Sequence, residues 1–505
     1  SHKMQEDEVI TNAFHQSIRK MHSIRTGLSS ILCDVDIQAS DLCIVYLGQE
    51  EKLGETCSLS QAKAVVLIGD ESWSFFSEKI AEMSANLCHL YLAEMNFSPE
   101  LSADFIRQSA LLHLTLKNCY FKQISDSIAY LMTLNRLEIV DCRQLQGLPE
   151  NFNSLQALKY IKIQGCDLNV PSSQFIGFTR LQSLSLIDCP KIVDFQVREA
   201  YAQPCQVVVE RCSQCIIQIQ PVRDSIKTQV SYQQHGYYQD VLMLMPFLLS
   251  NCRHTQIHLH LEINAWRKKV KRIDPILFEL SSLQQLRLVD FHDLLTLPNQ
   301  IEKFANLSVF EIIKSHRLQQ LPHSIGQLQQ LTELRLIHLK SIQALPVEIG
   351  HLTQLEILDV SGCRQLRTLP ENIGQLKKLK ILRLAGCNDF EYLPKAVGTL
   401  TELECLHLSG CVKLQNLPDL SGLKHLKILH LSGCSFQTLP DSLKDLVSLE
   451  VLHLSGCHLL EELPLNLDQL TKLTTIYLSG CIAIKNRALF YKKYPKIRLI
   501  VQQKF

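Results

Sequence analysis

Histidine and tyrosine recur at a fixed offset late in the chain: His407, His430, His453 and Tyr477 lie 23 or 24 residues apart, each between two aliphatic residues. Read backwards, the same offset gives Arg383, Asp359, Arg335, Glu311 and Arg287. Side chains of these types can stack, exchange hydrogen bonds and, for histidine, titrate near neutral pH. That is the chemistry of recognition. If each residue sits between two core positions of a short strand, it points to the face opposite the core, and so does the residue two before it. Those neighbours are Ile357, Ile381, Cys405, Ile428, Val451 and Thr475. The candidate partner-binding strip is therefore Arg335, Asp359, Ile381, Arg383, His407, Ile428, His430, Val451, His453 and Tyr477. Three imidazolium charges about 5 Å apart would repel, which favours a neutral column near pH 7. A second reading stays beside this one: the unit LHLSGC persists because duplication copied it.

Other groupings suggest chemistry less well. His258, His260 and Glu262 alternate along one strand and are of metal-ligand type, but outward positions of a repeat are variable and polar by default. Cys212 and Cys215 form a single CSQC without a second half, and Asp34, Asp36 and Asp41 lack the glycine and distant glutamate of a calcium loop. Neither HExxH nor GxSxG occurs. The expectation is a chain that is not an enzyme, with no catalytic residue, no metal site and no cofactor. Trp266-Arg267-Lys268-Lys269-Val270-Lys271-Arg272 is a dense basic run, read either as a phosphate-binding patch or import signal, or as a solvated loop.

What must position these residues is a repeat. From Leu355 to Cys481 one pattern is rewritten every 23 or 24 residues: LEILDVSGC, LKILRLAGC, LECLHLSGC, LKILHLSGC, LEVLHLSGC, LTTIYLSGC. The pattern LxxLxLxxC at this period is the signature of a leucine-rich-repeat solenoid, whose fourth and sixth residues share a core face that only stacked neighbours can close. The ninth-position cysteines, Cys363, Cys387, Cys411, Cys434, Cys457 and Cys481, read as a buried column of small apolar thiols. Leu-Pro pairs such as Leu369-Pro370 turn the chain onto the opposite wall, expected to be extended and turn-like. The fold class expected is an α/β repeat, a curved leucine-rich-repeat solenoid or horseshoe with a parallel concave sheet and a mostly non-helical convex side.

Five segments follow. Apolar residues from Val9 to Ile31 at three- and four-residue spacing make 1–41 an N-terminal helical cap. Residues 42–212 hold the first repeats, 213–255 an insertion carrying a helix where the period lapses, and 256–481 the second repeats. Residues 482–505 form a C-terminal cap with a helix over 485–494 and an edge strand over 496–501.

Acidic and basic residues balance at 50 and 51, so any charged site must be local, and no nucleic-acid partner is expected. The apolar run 241–249 is too short to span a bilayer. Nineteen cysteines without a signal peptide suggest reduced thiols and a cytoplasmic working compartment. At LSGCxxLxxLPxxIGxLxxL the chain resembles plant-type leucine-rich-repeat proteins: the sensor arrays of plant intracellular immune receptors, and the similar arrays of effectors that bacteria secrete into a host cell. The resemblance implies a monomeric, non-enzymatic scaffold that binds a protein partner on its concave face, here leaning toward a virulence effector. It equally suits the substrate-recognition arm of an enzyme or ubiquitin-ligase complex, or the sensor array of an immune receptor. The nucleotide-binding run GxxxxGK[ST] of the receptors is missing.

Overall fold

The computed structural model describes residues 42–46 and 64–69, most of 87–251, and 257–501 continuously. The helical stripe expected over 9–31, and the aspartates at 34, 36 and 41, lie outside the described residues. The chain divides into two compact units, residues 1–234 with 254–258, and residues 235–253 with 259–505. Both have the rung-on-rung architecture that the repeats predict.

In the first unit the strands Leu42–Tyr46, Ala64–Ile68, His89–Ala93, His113–Lys117, Arg136–Val140, Tyr160–Gln164, Ser183–Ile187 and Gln206–Glu210 pair in parallel, one after another. The register places Leu114, Leu137, Ile161, Leu184 and Val207 in one row and Leu116, Ile139, Ile163, Leu186 and Val209 in the next, all buried. The period does not lapse at residue 213. Gln229–Tyr237 forms another rung, with Val230 against Val207 and Tyr232 against Val209. Tyr232, expected in an irregular insertion, is a core residue with no exposed surface. Its ring fills the sixth position, and its hydroxyl donates to the Cys212 carbonyl at 3.5 Å.

The second unit opens with two short helices, Tyr238–Met243 and Met245–Asn251, which supply the helix expected in this stretch. They pack on their own unit: the Asp274 amide donates to the Tyr238 hydroxyl at 2.8 Å, and the Tyr238 ring meets Phe291 edge-on at 5.8 Å. A parallel ladder then runs through Leu283–Val289, Val309–Ile313, Glu333–Ile337, Ile357–Asp359, Ile381–Arg383, Cys405–His407, Ile428–His430, Val451–His453 and Thr475–Tyr477. Past it stand the helix Arg487–Lys493 and the strand Arg498–Ile500, paired with Thr475–Tyr477, close to the positions read from the sequence.

The wall behind the sheet is more regular than extended turns. Each rung from Asn299–Lys303 to Lys395–Thr399 carries a five-residue 3-10 turn, as does Asp441–Asp445. A proline precedes each of these turns, and its carbonyl accepts the first turn hydrogen bond, as from Ile373 to Pro370 at 3.0 Å. Fixed at φ −65°, Pro370 is already in the conformation required and gives up no donor that the turn needs.

The ninth-position cysteines are buried unbridged thiols, but they are not merely apolar. Each Sγ lies within donating distance of the carbonyl of the sixth residue in the preceding rung: Cys387 to Val360 at 3.2 Å, Cys411 to Leu384 at 3.2 Å, Cys434 to Leu408 at 3.1 Å and Cys457 to Leu431 at 3.1 Å. Burial pushes the Cys434 and Cys457 thiols up to about 12, so they remain protonated donors. A serine at this position therefore finds an acceptor in place, a few tenths of an ångström beyond its shorter reach. Cys411→Ser should cost about 0.5–1.5 kcal/mol, less than the penalty of an unpartnered buried hydroxyl. Cys411→Val, which loses the donor and adds bulk, should cost about 1–3 kcal/mol. Urea unfolding midpoints check this; a serine variant less stable than the valine one would mean that apolar packing outweighs donation here.

Candidate functional site

The ladder brings the predicted column into line. Cα partners run Arg287, Glu311, Arg335, Asp359, Arg383, His407, His430, His453, Tyr477, each on the next strand. Ile357, Ile381, Cys405, Ile428, Val451 and Thr475 align the same way beside them. Backbone bonds fix each rung to its neighbour, as from Leu408 to the His430 carbonyl and from Leu431 to the His453 carbonyl, both 2.8 Å.

The column has two halves of different character. In the first, charges zip together: Arg287 Nε lies 3.3 Å from Glu262 and 3.4 Å from Glu311, while an Arg335 nitrogen reaches Glu311 at 3.2 Å and Glu333 at 2.8 Å. Glu262, weighed as a metal ligand beside His258 and His260, also meets His235 Nδ1 at 2.5 Å, so its carboxylate is already engaged by Arg287 and His235. Asp359 departs from expectation. It stands in the column but is only 5% exposed, and its Oδ1 accepts from the Ser361 amide at 3.0 Å. Its role is to close the turn of its own rung, and its surface is not available for contact.

In the second half, rings stack. His407 and His430 have centroids 4.1 Å apart at 27°, His430 and His453 4.1 Å at 11°, and His453 and Tyr477 4.4 Å at 4°. These separations are shorter than the roughly 4.8 Å between strands, so the rings lean together into one slab. Burial, and then the neighbouring His407 and His453, hold His430 down to about 4. Burial and then the Arg383 charge lower His407, against the pull of Asp359; burial lowers His453. All three rings are neutral at pH 7. The Nδ1 of His430 and the Nε of Arg383 are occluded and have no hydrogen-bond partner among the described residues. An occluded nitrogen with no acceptor beside it is a poor place for a proton, which agrees with the depressed value.

The slab is bordered on one side by Ile381, Ile428 and Val451, and Ile428 is exposed. On the other side runs a ledge of small residues, in which Ala385, Ser409, Ser432, Ser455 and Ser479 are each followed by a glycine, Gly386, Gly410, Gly433, Gly456 and Gly480. Their φ values of +72° to +75° explain the glycines better than space does, because a Cβ at Gly410 would meet Gly386 only at ordinary contact distance, 3.5 Å. Cys405, between Ile381 and Ile428 in this row, has its thiol pushed up by burial, partly offset by Arg383. That is the opposite of what a nucleophilic cysteine needs.

A second set of rings follows the tenth position and was not singled out from the sequence, which was read along positions three and five. His292 and His316 lie 4.8 Å apart, and Trp266 meets His292 edge-on at 6.5 Å. Histidine at the same offset in consecutive units was the available signal.

Family models described as "Leucine-rich repeat region" and "Leucine Rich Repeat" match residues 331–411, and residues 425–446 and 448–470, respectively. No curated protein sequence matches the chain. Among solved structures it is similar to a leucine-rich-repeat protein of Leptospira interrogans at 22% identity, covering 87% of this chain and 90% of that one, with a TM-score of 0.40. It is also similar to the leucine-rich-repeat ectodomain of the membrane receptor kinase GASSHO1/SCHENGEN3 of Arabidopsis thaliana, solved with Casparian strip integrity factor 2. There the identity is 17%, the coverage 88% of this chain and 59% of that one, and the TM-score 0.33. Likeness at this level assigns no residue and no ligand.

Proposed function

We propose that this chain, which is a leucine-rich-repeat protein, recognises another protein through the strip Arg383, His407, His430, His453 and Tyr477 with its border of Ile381, Ile428 and Val451. Arrays of this family generally serve as scaffolds for protein–protein interaction. The observation that carries the reading is the ring slab: four side chains stacked within 4.4 Å on a hydrogen-bonded sheet, its three histidines held neutral, with apolar residues on one flank and small Ser-Gly pairs on the other. Such a surface is pre-ordered, so a partner pays little entropy to order it, and aromatic residues are enriched at the centres of interfaces. Arg335, already engaged by Glu311 and Glu333, takes a supporting place at the edge, and Asp359, turned onto the Ser361 amide, holds its own rung without touching the partner. Recognition without catalysis is part of the proposal, and the thiol of Cys405 supports it. So is action inside a eukaryotic host cell as a bacterial effector, supported by the LSGCxxLxxLP repeat itself.

The test is affinity capture from host-cell lysate with mass spectrometry, followed by binding of the captured partner to two variants. His430→Asp should lose at least about tenfold, or 1.4 kcal/mol, of affinity. His430→Phe, which keeps a ring in the slab, should lose less. Because His430 is stacked on both faces, the Asp variant should also show a modest drop in thermal midpoint. A partner that binds both variants as tightly as the parent would remove the strip from the interface.

A further inference from the structure

The basic run behaves differently from a solvated loop. Ala265, Val270 and Ile273 are buried and anchor it, while Trp266, Arg267, Lys268, Lys269, Lys271 and Arg272 are exposed. Its backbone is tied down at several points: Trp266 N to Asn264 Oδ1 at 2.7 Å, Lys268 N to the Ala265 carbonyl at 3.0 Å, and Leu295 N to the Lys271 carbonyl at 3.3 Å. The carboxylates around it are engaged elsewhere. Asp274 caps the Ile276 amide, Asp290 faces His292, Asp293 holds Arg317 and Glu279 holds Lys303. Among the described residues none of the five cations has an ion-pair partner, although acidic and basic residues balance over the chain as a whole.

The apolar side chains nearby point to the ligand. Trp266 is 49% exposed, Leu295, bonded to the backbone of Lys271, 47%, and Ile276, just beyond the run, 40%. We propose that this cluster is a peripheral membrane-binding site for anionic phospholipid, in which Arg267, Lys268, Lys269, Lys271 and Arg272 meet headgroup phosphates and Trp266, Leu295 and Ile276 seat in the interfacial layer. Indole side chains favour that layer, and four or more clustered cations suffice for attraction to an anionic leaflet. A single-stranded nucleic acid fits less well. Its bases need open aromatic faces in series, whereas the Trp266 ring is attended by the Arg267 guanidinium at 5.8 Å and by the edge of His292, and exposed Leu295 and Ile276 offer bases nothing. The site does not depend on the ring slab and would bring the recognition strip to a membrane surface.

Co-sedimentation of the full chain with vesicles tests this, using phosphatidylcholine alone and phosphatidylcholine containing phosphatidylserine. Binding is expected only to the serine-containing vesicles, and should fall away between about 0.1 M and about 1 M salt, as the screening length drops from about 10 Å to about 3 Å. Each cation removed should weaken it roughly fivefold, so Lys268→Glu/Lys269→Glu should lose at least about twentyfold. Trp266→Ala should weaken binding without changing its salt dependence. All three positions are exposed, and an unchanged circular dichroism melt verifies the fold. The proposal is overturned if serine-containing vesicles are not bound, or if the double variant binds them as the parent does. It is also overturned if an oligothymidylate is bound more tightly than the vesicles and loses affinity in that variant, which would make the run a nucleic-acid site.

Discussion

Leu429→Ala should lower the stability of the second unit by about 2–5 kcal/mol, the cost of removing a fully buried leucine from a core that cannot collapse around the gap. Leu429 is wholly buried and lies between Leu406 and Leu452 in the same row, on the strand whose outward neighbour is His430. A single exchange thus separates core from surface on adjacent residues. In a rung-by-rung array the loss need not spread evenly, because each unit is held only by its neighbours. Cys434 belongs to this rung and Cys411 to the rung before it, both buried, so their alkylation should accelerate in the variant while that of distant Cys363 stays slow. A urea midpoint shift worth less than about 1 kcal/mol would contradict the burial of Leu429.

That contrast also shows what the sequence could and could not reveal. Period and alternation are properties of residue type, so the column from Arg287 to Tyr477 could be drawn before any coordinate, and the strands align it as drawn. Ring angles are not encoded by spacing, and the slab formed by His407, His430, His453 and Tyr477 appears only when side chains are placed. The rung Gln229–Tyr237 was hidden because its core pair is Val230 and Tyr232, with no leucine and no ninth-position cysteine to mark it. Asp359 looked exposed by parity, but a short acid two residues before Ser361 can turn back on that amide, and it does. The thiols looked apolar because cysteine is usually counted so. Their donation to the preceding rung depends on a carbonyl whose position only the stacking fixes. The proline-led 3-10 turns were legible in part: Leu-Pro marked where each begins, but not the five-residue turn that follows.

Acidification should destabilise the second unit through its stacked histidines. His430 is held at about 4 in the folded protein, against about 6.5 in an unfolded chain. The unfolded state therefore takes up the proton first as pH falls. Stability contributed by this ring is fully present above about pH 6.5, declines between about 6.5 and about 4, and is lost below that. His407 and His453, also lowered, act in the same direction. For His430 alone the linkage limit is about 3 kcal/mol, which solvent screening of a part-exposed ring reduces to about 1–2 kcal/mol. Binding at the strip should share this window, persisting through mild acid and failing as the slab charges and its rings repel. Carboxylates complicate the lower end, since Glu348, Asp419 and Asp441 are held below their ordinary values and lose their contributions as they protonate. The informative quantity is accordingly a difference: thermal midpoints from about pH 7 to about pH 4 for the parent and for His430→Gln, which cannot titrate. The parent should lose more over that range, with the gap opening below about pH 6.5. Parallel curves would mean that His430 titrates alike in folded and unfolded chains, and the slab would then have no hold on its protonation.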